Sequence, residues 1–338
     1  MASPWIPRMH LWEIDDQPWF PPFLRAYVQS GLTHAWTLHI PFFQDSSPAT
    51  IVADTLRRVL GPSVSRHTYI DFCAGAGGPT PFIERALNSQ LAISAARTVP
   101  ATASAGVVDG TSQAASSETP SYAAVADPGT KSSTVRDEEE AAVDFVLTDL
   151  HPHVEFWEAA SKKSDRLTYV SGPVDAADAP ADLLRRYAGK GSGKKGIFRL
   201  FNLAFHHFDD DLARAILKNT VETSEGFGIF ELQDRTLGGM ATCFIFGFFI
   251  LLIAPLLYWW SPERLFFVYV IPVVPFVLVF DGLVSCLRTR TAGEVEVLLR
   301  TCGADSDGWE VRSGRDRVIW PCGYLSWVIC GKKATLSG

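Results

Sequence analysis

An α/β fold built on a doubly wound, mostly parallel sheet, with an apolar membrane hairpin inserted in it, is what this sequence predicts. Three observations predict it. The run Tyr69–Phe72 feeds a glycine-rich turn, and an amphipathic run, Pro81–Leu91, follows. Strand-like and helix-like segments then alternate at the pitch of βαβ units as far as Leu232. Finally, Met240–Trp260 and Leu265–Phe280 carry no charge and are separated only by Ser261-Pro262-Glu263-Arg264.

The turn is the most informative element. Tyr69 to Thr80 reads Tyr-Ile-Asp-Phe-Cys-Ala-Gly-Ala-Gly-Gly-Pro-Thr. Gly75, Gly77 and Gly78 lack Cβ atoms, so the backbone can take positive φ and approach a ligand closely. Asp71 stands at the strand end, placed to hold a polar or cationic group. The order Asp-x-Cys-x-Gly-x-Gly-Gly resembles the first motif of class I S-adenosylmethionine-dependent methyltransferases, whose usual form is acid-x-Gly-x-Gly-x-Gly. The chain departs at Cys73, where the family has its first glycine, and its last two glycines are adjacent. The resemblance implies a Rossmann-like sheet and S-adenosyl-L-methionine as cofactor, held by Asp71, Cys73, Gly75, Gly77 and Gly78. A P-loop is excluded because no Gly-Lys-Ser/Thr follows the glycines.

Residues 1–60 concentrate aromatics and prolines, with helical spacing at Phe23–Trp36 and Thr50–Leu60. They read first as a helical cap and, compatibly, as a lid over an apolar acceptor pocket. Residues 92–142 are dominated by Ser, Ala, Thr, Gly and Pro and end in Asp137-Glu138-Glu139-Glu140. Such a segment buries too little surface to offset its ordering entropy, so a disordered insertion is expected. Order resumes at Val143–Asp149, a strand ending in an acid. The ribose-binding acid of such folds stands about 20 residues past the glycines, and deleting the insertion brings Asp149 to that place. Asp109 is the weaker candidate.

A helix, Val154–Ser164, and a strand, Leu167–Val170, come next, and Asp175 falls where the resemblance puts the acid for the adenine amino group. Leu183–Tyr187 reads as helix and Gly196–Phe205 as the fourth strand. A helix, Leu212–Thr223, and a fifth strand, Gly228–Leu232, follow. After the hairpin come a helix, Val295–Arg300, and two strands, Trp309–Ser313 and Leu325–Cys330, which the resemblance makes an antiparallel pair at the sheet edge. The methyltransferase-like domain is thus 61–237 with 288–334, and the hairpin is 238–287.

At 1.5 Å per residue the first apolar run crosses a hydrocarbon core of roughly 30 Å. The second does so only by extending through Asp281 or where the bilayer thins, so the hairpin either spans or dips in and returns. Pro255, Pro272 and Pro275 are expected to kink the arms, and Tyr258, Trp259 and Trp260 suit an interface. Both ends emerge on one side. Arg235, Arg288 and Arg290 make that side the cytosol, with the endoplasmic reticulum as the default membrane.

The chain has 338 residues with 47% hydrophobic and 12% aromatic content, enough for a sizeable core, and a formal net charge of −7 that disfavours a nucleic-acid partner. Its six cysteines form no Cys-x-x-Cys pair and read as reduced thiols. The N-terminus lacks a secretory pattern, and Glu13, Asp15 and Asp16 speak against a mitochondrial presequence. Histidines gather where strands end: His151 and His153, then His206 and His207. His207, with His206 beside it, is the candidate acceptor-side residue. The two pairs show no metal-ligand spacing, so no metal is predicted.

The function expected is methyl transfer to a small, lipophilic acceptor beside a lipid bilayer. A non-catalytic, membrane-tethered binding or scaffold protein is the alternative. RNA methylation ranks below both, because the charge is acidic and no Pro-Cys nucleophile follows the fourth strand.

Overall fold

The structure, a computed structural model, describes residues 6–37, 39–98, 142–187 and 195–336. The chain divides into two units, Met1–Leu87 with Val143–Gly338, and Asn88–Ala142. In the second unit the described residues are the later part of the helix Thr80–Thr98 and Ala142. Most of the 92–142 insertion, with Asp109, lies outside the described residues.

In the first unit seven strands form one sheet. They are β1 (His67–Phe72), β2 (Phe145–Thr148), β3 (Leu167–Tyr169), β4 (Gly196–Asn202), β5 (Gly226–Glu231), β6 (Trp309–Ile319) and β7 (Gly323–Lys332). Their order is β3-β2-β1-β4-β5-β7-β6. The first five are parallel, and β7 runs antiparallel to both β5 and β6. Every residue of β1, β2 and β5 is buried. Both sheet faces are covered there, and so these strands read as continuous apolar runs rather than alternating ones. Ile70 and Phe72 pack with Phe201, Ile216, Leu217, Leu298 and Leu299 on one face. Tyr69 stacks on Phe145 and tilts against Phe198 on the other. Strand order reverses between β1 and β4, which opens the crevice where ligands of such sheets bind.

Strand ends shift by a residue or two in several places, and those of β4 and β6 depart furthest from the sequence reading. β4 stops at Asn202, not Phe205, because Leu203 turns to φ 55° and Phe205–His207 forms a 3-10 turn. β6 runs on to Ile319 rather than ending at Ser313. Its extension, Gly314–Ile319, carries Arg315, Asp316 and Arg317, which mask the strand periodicity. Pairing with β7 as far as Gly323 holds it.

The hairpin enters between β5 and the helix Ala292–Arg300. Its first arm is the helix Leu237–Leu257, capped by Thr236, whose hydroxyl accepts the Gly239 N–H, and it retains Pro255 within its last turn. It is long and apolar enough to cross a membrane, and only 22% of its most apolar stretch is buried. A core helix of a soluble domain would be mostly buried. Phe244, Phe248, Leu252 and Leu256, spaced four apart, are each more than half exposed, so one continuous stripe faces outward. The second arm is broken: Pro262–Tyr269 and Val273–Arg288 meet at 60°, with Pro272 at the break. The arms touch at Gly247, where a Cβ would stand 2.3 Å from Val279 Cγ2.

The N-terminal helix Pro22–Thr37 packs on this hairpin: Phe20, Leu24 and Val28 join Ile250, Ala254, Val277 and Leu278. Asp281, the one charge in the second apolar run, docks the preceding segment by accepting the N–H groups of Ile14 and Asp15 at 2.7 and 2.9 Å. Trp259 and Trp260 are exposed at the tip, whereas Tyr258 turns inward to Ser30, 3.1 Å away. The flanking arginines do not present free charge. Arg235 pairs with Glu294. Arg288 pairs with Glu13 and Asp16. Arg290 pairs with Asp210 at 2.7 Å and donates to the carbonyls of Phe205 and Phe208. They brace the base of the hairpin against the sheet domain.

Candidate active site

The glycine turn folds as strand physics requires. β1 ends in the buried crevice, and the chain must reverse into the helix Thr80–Thr98 within a few residues. Cys73, Gly75, Gly77 and Gly78 all take positive φ, of 64°, 51°, 103° and 47°. Three of these are glycines, for which the region carries no Cβ penalty. Cys73 stands in the left-handed region despite its side chain. The turn is braced from outside. The Gly75 N–H donates to Asp149 Oδ2 at 2.8 Å, and the Trp157 indole donates to the Gly75 carbonyl at 2.8 Å.

Asp149 therefore meets the glycine turn across the insertion. Its other oxygen accepts the His151 N–H at 2.8 Å, and its carbonyl accepts the Val174 N–H at 2.9 Å. That last bond draws the Asp175 loop to the same strand end. Asp175 is exposed and accepts the Ala177 N–H at 2.8 Å. Burial, then the charges of Asp149, Asp71 and Asp175, hold the Cys73 thiol well above its ordinary range. It is a neutral thiol among three acids, not a nucleophile.

Asp71 points to the opposite face of the sheet from Ile70 and Phe72. Its Oδ2 accepts from the Thr80 hydroxyl, which also receives the Asn202 amide at 3.0 Å. Its Oδ1 has no hydrogen-bond partner among the described residues. Burial raises its pKa to about 7, with the Thr80 and Asn202 contacts opposing. The sign follows. The folded state keeps this proton up to about pH 7, while the unfolded chain releases it near 3.8. The contribution to stability is present in full below the lower value and is lost as pH rises through the upper one. Asp71→Asn cannot ionise. Its melting temperature relative to wild type should therefore rise between about pH 5 and about pH 8. An equal difference at both values would show that Asp71 is not a buried proton carrier.

A cavity of about 400 Å³ opens beside the turn. Ala74, Gly75, Ala76 and Gly78 form one end. Phe246, Phe249, Ile253 and Leu257 of the hairpin, with Leu32 and Trp36 of the N-terminal helix, form an apolar end. Asp71, Cys73, Gly77, Asp149 and Asp175 lie behind or beside the turn and do not line it.

Polar groups interrupt this wall where the 3-10 turn after β4 presents His206 and His207. His206 is buried, and its Nδ1–H donates to Glu231 Oε2 at 2.9 Å, since a carboxylate can only accept. His207, its side chain 34% exposed, meets Asp16 Oδ2 at 3.1 Å. Burial alone would lower the His207 imidazole, but its bond to Asp16 and the charges of Glu13 and Asp16 outweigh this and raise it. Burial opposes the ionised form of Asp16, yet His207 and Arg288 hold it down at about 2. Asp15 moves the other way, raised by burial to about 7 although Arg25 opposes.

The sequence reading singles out the histidines but not the acids facing them. Glu13 and Asp16 lie some 190 residues upstream, in a segment whose docking depends on Asp281. No local spacing announces that contact.

No protein-family profile matches the chain, and no curated protein matches it in sequence. Among solved structures it is similar to PhzM, described as a pyocyanin biosynthetic protein, at 13% identity and a TM-score of 0.40, over 84% of this chain and 55% of that one. It is similar to an S-adenosylmethionine-dependent methyltransferase from Anabaena variabilis ATCC 29413 at 13% identity and a TM-score of 0.39, over 98% and 99% of the two chains. A third is the plantazolicin methyltransferase BpumL, solved in complex with SAH, at 10% identity and a TM-score of 0.37, over 92% and 98%. The chain spans about half the length of the first of these. These overlaps are loose, and the stronger fact is the sheet itself: five parallel strands in the order 3-2-1-4-5, an antiparallel β7 inserted between β5 and β6, and a glycine turn after β1. The chain has the Rossmann-like fold of class I methyltransferases.

Proposed function

We propose that this protein is a membrane-anchored, S-adenosylmethionine-dependent methyltransferase acting on a small lipophilic acceptor. The observation that carries the reading is a cavity lined by both the glycine turn and the apolar hairpin wall. The turn suits the donor. A Cβ at Gly75 would meet nothing within 4 Å, so open space adjoins the backbone there. Gly75 and Gly78 line the cavity and would face the donor, with Asp149 beside them; Asp71 and Gly77 would shape the turn from behind, with Asp175 at the adenine side and the neutral Cys73 next to them. When bound, the donor supplies an electrophilic methyl on a sulfonium.

The protein's part is then placement. Positioning donor and acceptor in line and excluding water accounts for roughly 7–11 kcal/mol of such barriers. Phe246, Phe249 and Ile253 would hold an apolar acceptor, and His207 stands at the polar band between the two ends. With its Nδ1–H donated to Asp16, a protonated His207 would orient an acceptor oxygen by donating its Nε2–H, and it would serve as base at Nε2 only in the neutral form that keeps the Nδ1–H.

The outward stripe of Phe244, Phe248, Leu252 and Leu256 supports insertion in a bilayer, and Trp259 and Trp260 at the tip suit an interfacial depth. The sheet domain would then lie on the cytosolic side. The arginines at the hairpin base are neutralised within the protein and give that orientation little support.

Calorimetric titration of S-adenosylmethionine and S-adenosylhomocysteine into detergent-solubilised protein tests the reading. Saturable binding of both is expected. Failure of a cooperatively folded protein to bind either would discard the enzyme and leave a membrane-tethered scaffold.

A further inference from the structure

We propose that Glu13, His206 and His207 bind a divalent transition-metal ion, zinc by preference, on the cavity wall between its glycine end and its apolar end. The ion's role rests on the methyl-transfer reading; its binding does not.

One ligand atom from each of the three residues lies within 4.8 Å of the others. His206 Nε2 is 3.7 Å from Glu13 Oε1, and His207 Nδ1 is 3.7 Å from Glu13 Oε2. Both distances are too long for hydrogen bonds. They are close to the roughly 3.4 Å that separates two ligands held about 2.1 Å from a tetrahedral zinc. Two imidazoles and one carboxylate form a donor set that zinc accepts while keeping a position open.

The surroundings are built as a ligand shell. A ligating histidine needs its second nitrogen fixed by an acceptor, which sets tautomer and ring orientation. His206 has this: Glu231 takes its Nδ1–H, and the other oxygen of Glu231 accepts the His206 backbone N–H at 3.2 Å. Nε2 is thereby directed at Glu13. Arg288 and Ser285 both contact Glu13 Oε1, at 3.1 and 2.7 Å, which leaves Oε2 on the His207 side.

Charge favours a cation. Glu13, Asp16 and Glu231 converge here, and among the described residues the guanidinium that pairs with them is Arg288. The ion would displace the proton shared by His207 and Asp16, leaving Asp16 as a neighbouring acceptor. In its open position it would bind the acceptor oxygen and ease loss of the hydroxyl proton to solvent. The O–CH₃ bond then forms as the S–CH₃ bond breaks, and the sulfonium leaves as a neutral thioether.

The test uses the full chain in detergent, stripped with a chelator, and titrated with Zn²⁺ by calorimetry and with Co²⁺ by visible absorption. One equivalent of either ion is expected, with a cobalt spectrum of low coordination number. His207→Ala and Glu13→Gln should each weaken binding by more than about 100-fold, and Glu231→Gln, which disturbs the orientation of His206 without removing a ligand, by about 10–100-fold. S-adenosylhomocysteine affinity, measured on the same samples without metal, should be unchanged in Glu13→Gln and Glu231→Gln. Two results overturn the site: no stoichiometric uptake by wild type that still unfolds cooperatively, or uptake that survives the Glu13→Gln, His207→Ala double variant. Donor binding without metal uptake would retain the methyltransferase reading and remove this one.

Discussion

Asp149→Ala is expected to weaken S-adenosylmethionine binding by at least about 100-fold while leaving the fold intact. Two effects combine. The carboxylate stands partly exposed at the carboxyl end of β2, where a ribose would offer its hydroxyls. Hydrogen bonds to a charged group contribute about 1.5–3 kcal/mol each. The same carboxylate accepts the N–H groups of Gly75 and His151. Its removal therefore loosens the glycine turn before any ligand arrives, and binding must then reorder it. Two such losses amount to about 3 kcal/mol or more, and every 1.4 kcal/mol is tenfold. Asp149→Asn retains one carbonyl acceptor and should fall between the alanine variant and wild type. Calorimetry on the three proteins decides this. Equal affinities would place the donor away from the turn.

Arg199→Ala should cost about 3–5 kcal/mol of stability. Arg199 lies mid-β4 and is fully buried. No carboxylate pairs with it among the described residues. It donates to Ser224 Oγ at 2.9 Å, the Ala176 carbonyl at 3.1 Å, Thr223 Oγ1 at 2.6 Å and the Asn219 side chain, and it lies 4.5 Å above the Phe72 ring. It thus ties β4 to the end of the helix Asp210–Thr223 and to the Asp175 loop. Alanine would leave a cavity together with four acceptors lacking their donor. Arg199→Met refills the volume and should recover part of the loss. Denaturant unfolding of solubilised protein measures both. A change within about 1 kcal/mol for the alanine variant would show that the guanidinium contributes no net stability.

How far the sequence discloses this molecule depends on the range of each interaction. Strands and helices are local, and β1, the glycine turn and the helix after it stand close to where the periodicity puts them. That Asp149 meets the glycine turn is legible once the Ser/Ala-rich stretch is taken as an insertion, whereas Asp109 lies outside the described residues. The break in the second apolar arm is legible too, since Pro272 and Pro275 fall in one short run. The polar band of the cavity is different. In the sequence Glu13 and Asp16 serve only to disfavour a presequence, and Asp281 reads as a flaw in an apolar run. Their meaning is set by contacts of Asp281 with Ile14 and Asp15, more than 260 residues apart. Likewise Arg235, Arg288 and Arg290 read as topology signals, whereas each is directed at a protein partner. Charge near an apolar segment looks the same in sequence whether it meets lipid headgroups or a buried carboxylate.

The hairpin residues that wall the cavity bear on kinetics as well as affinity. If the acceptor dissolves in the bilayer, its bulk concentration is not what the protein encounters. The relevant quantity is its mole fraction in the lipid, approached by diffusion in two dimensions. Diluting a fixed amount of acceptor with inert phospholipid should then slow turnover although nothing in the aqueous phase has changed. The water-soluble donor, entering beside the glycine turn, should be indifferent to that dilution.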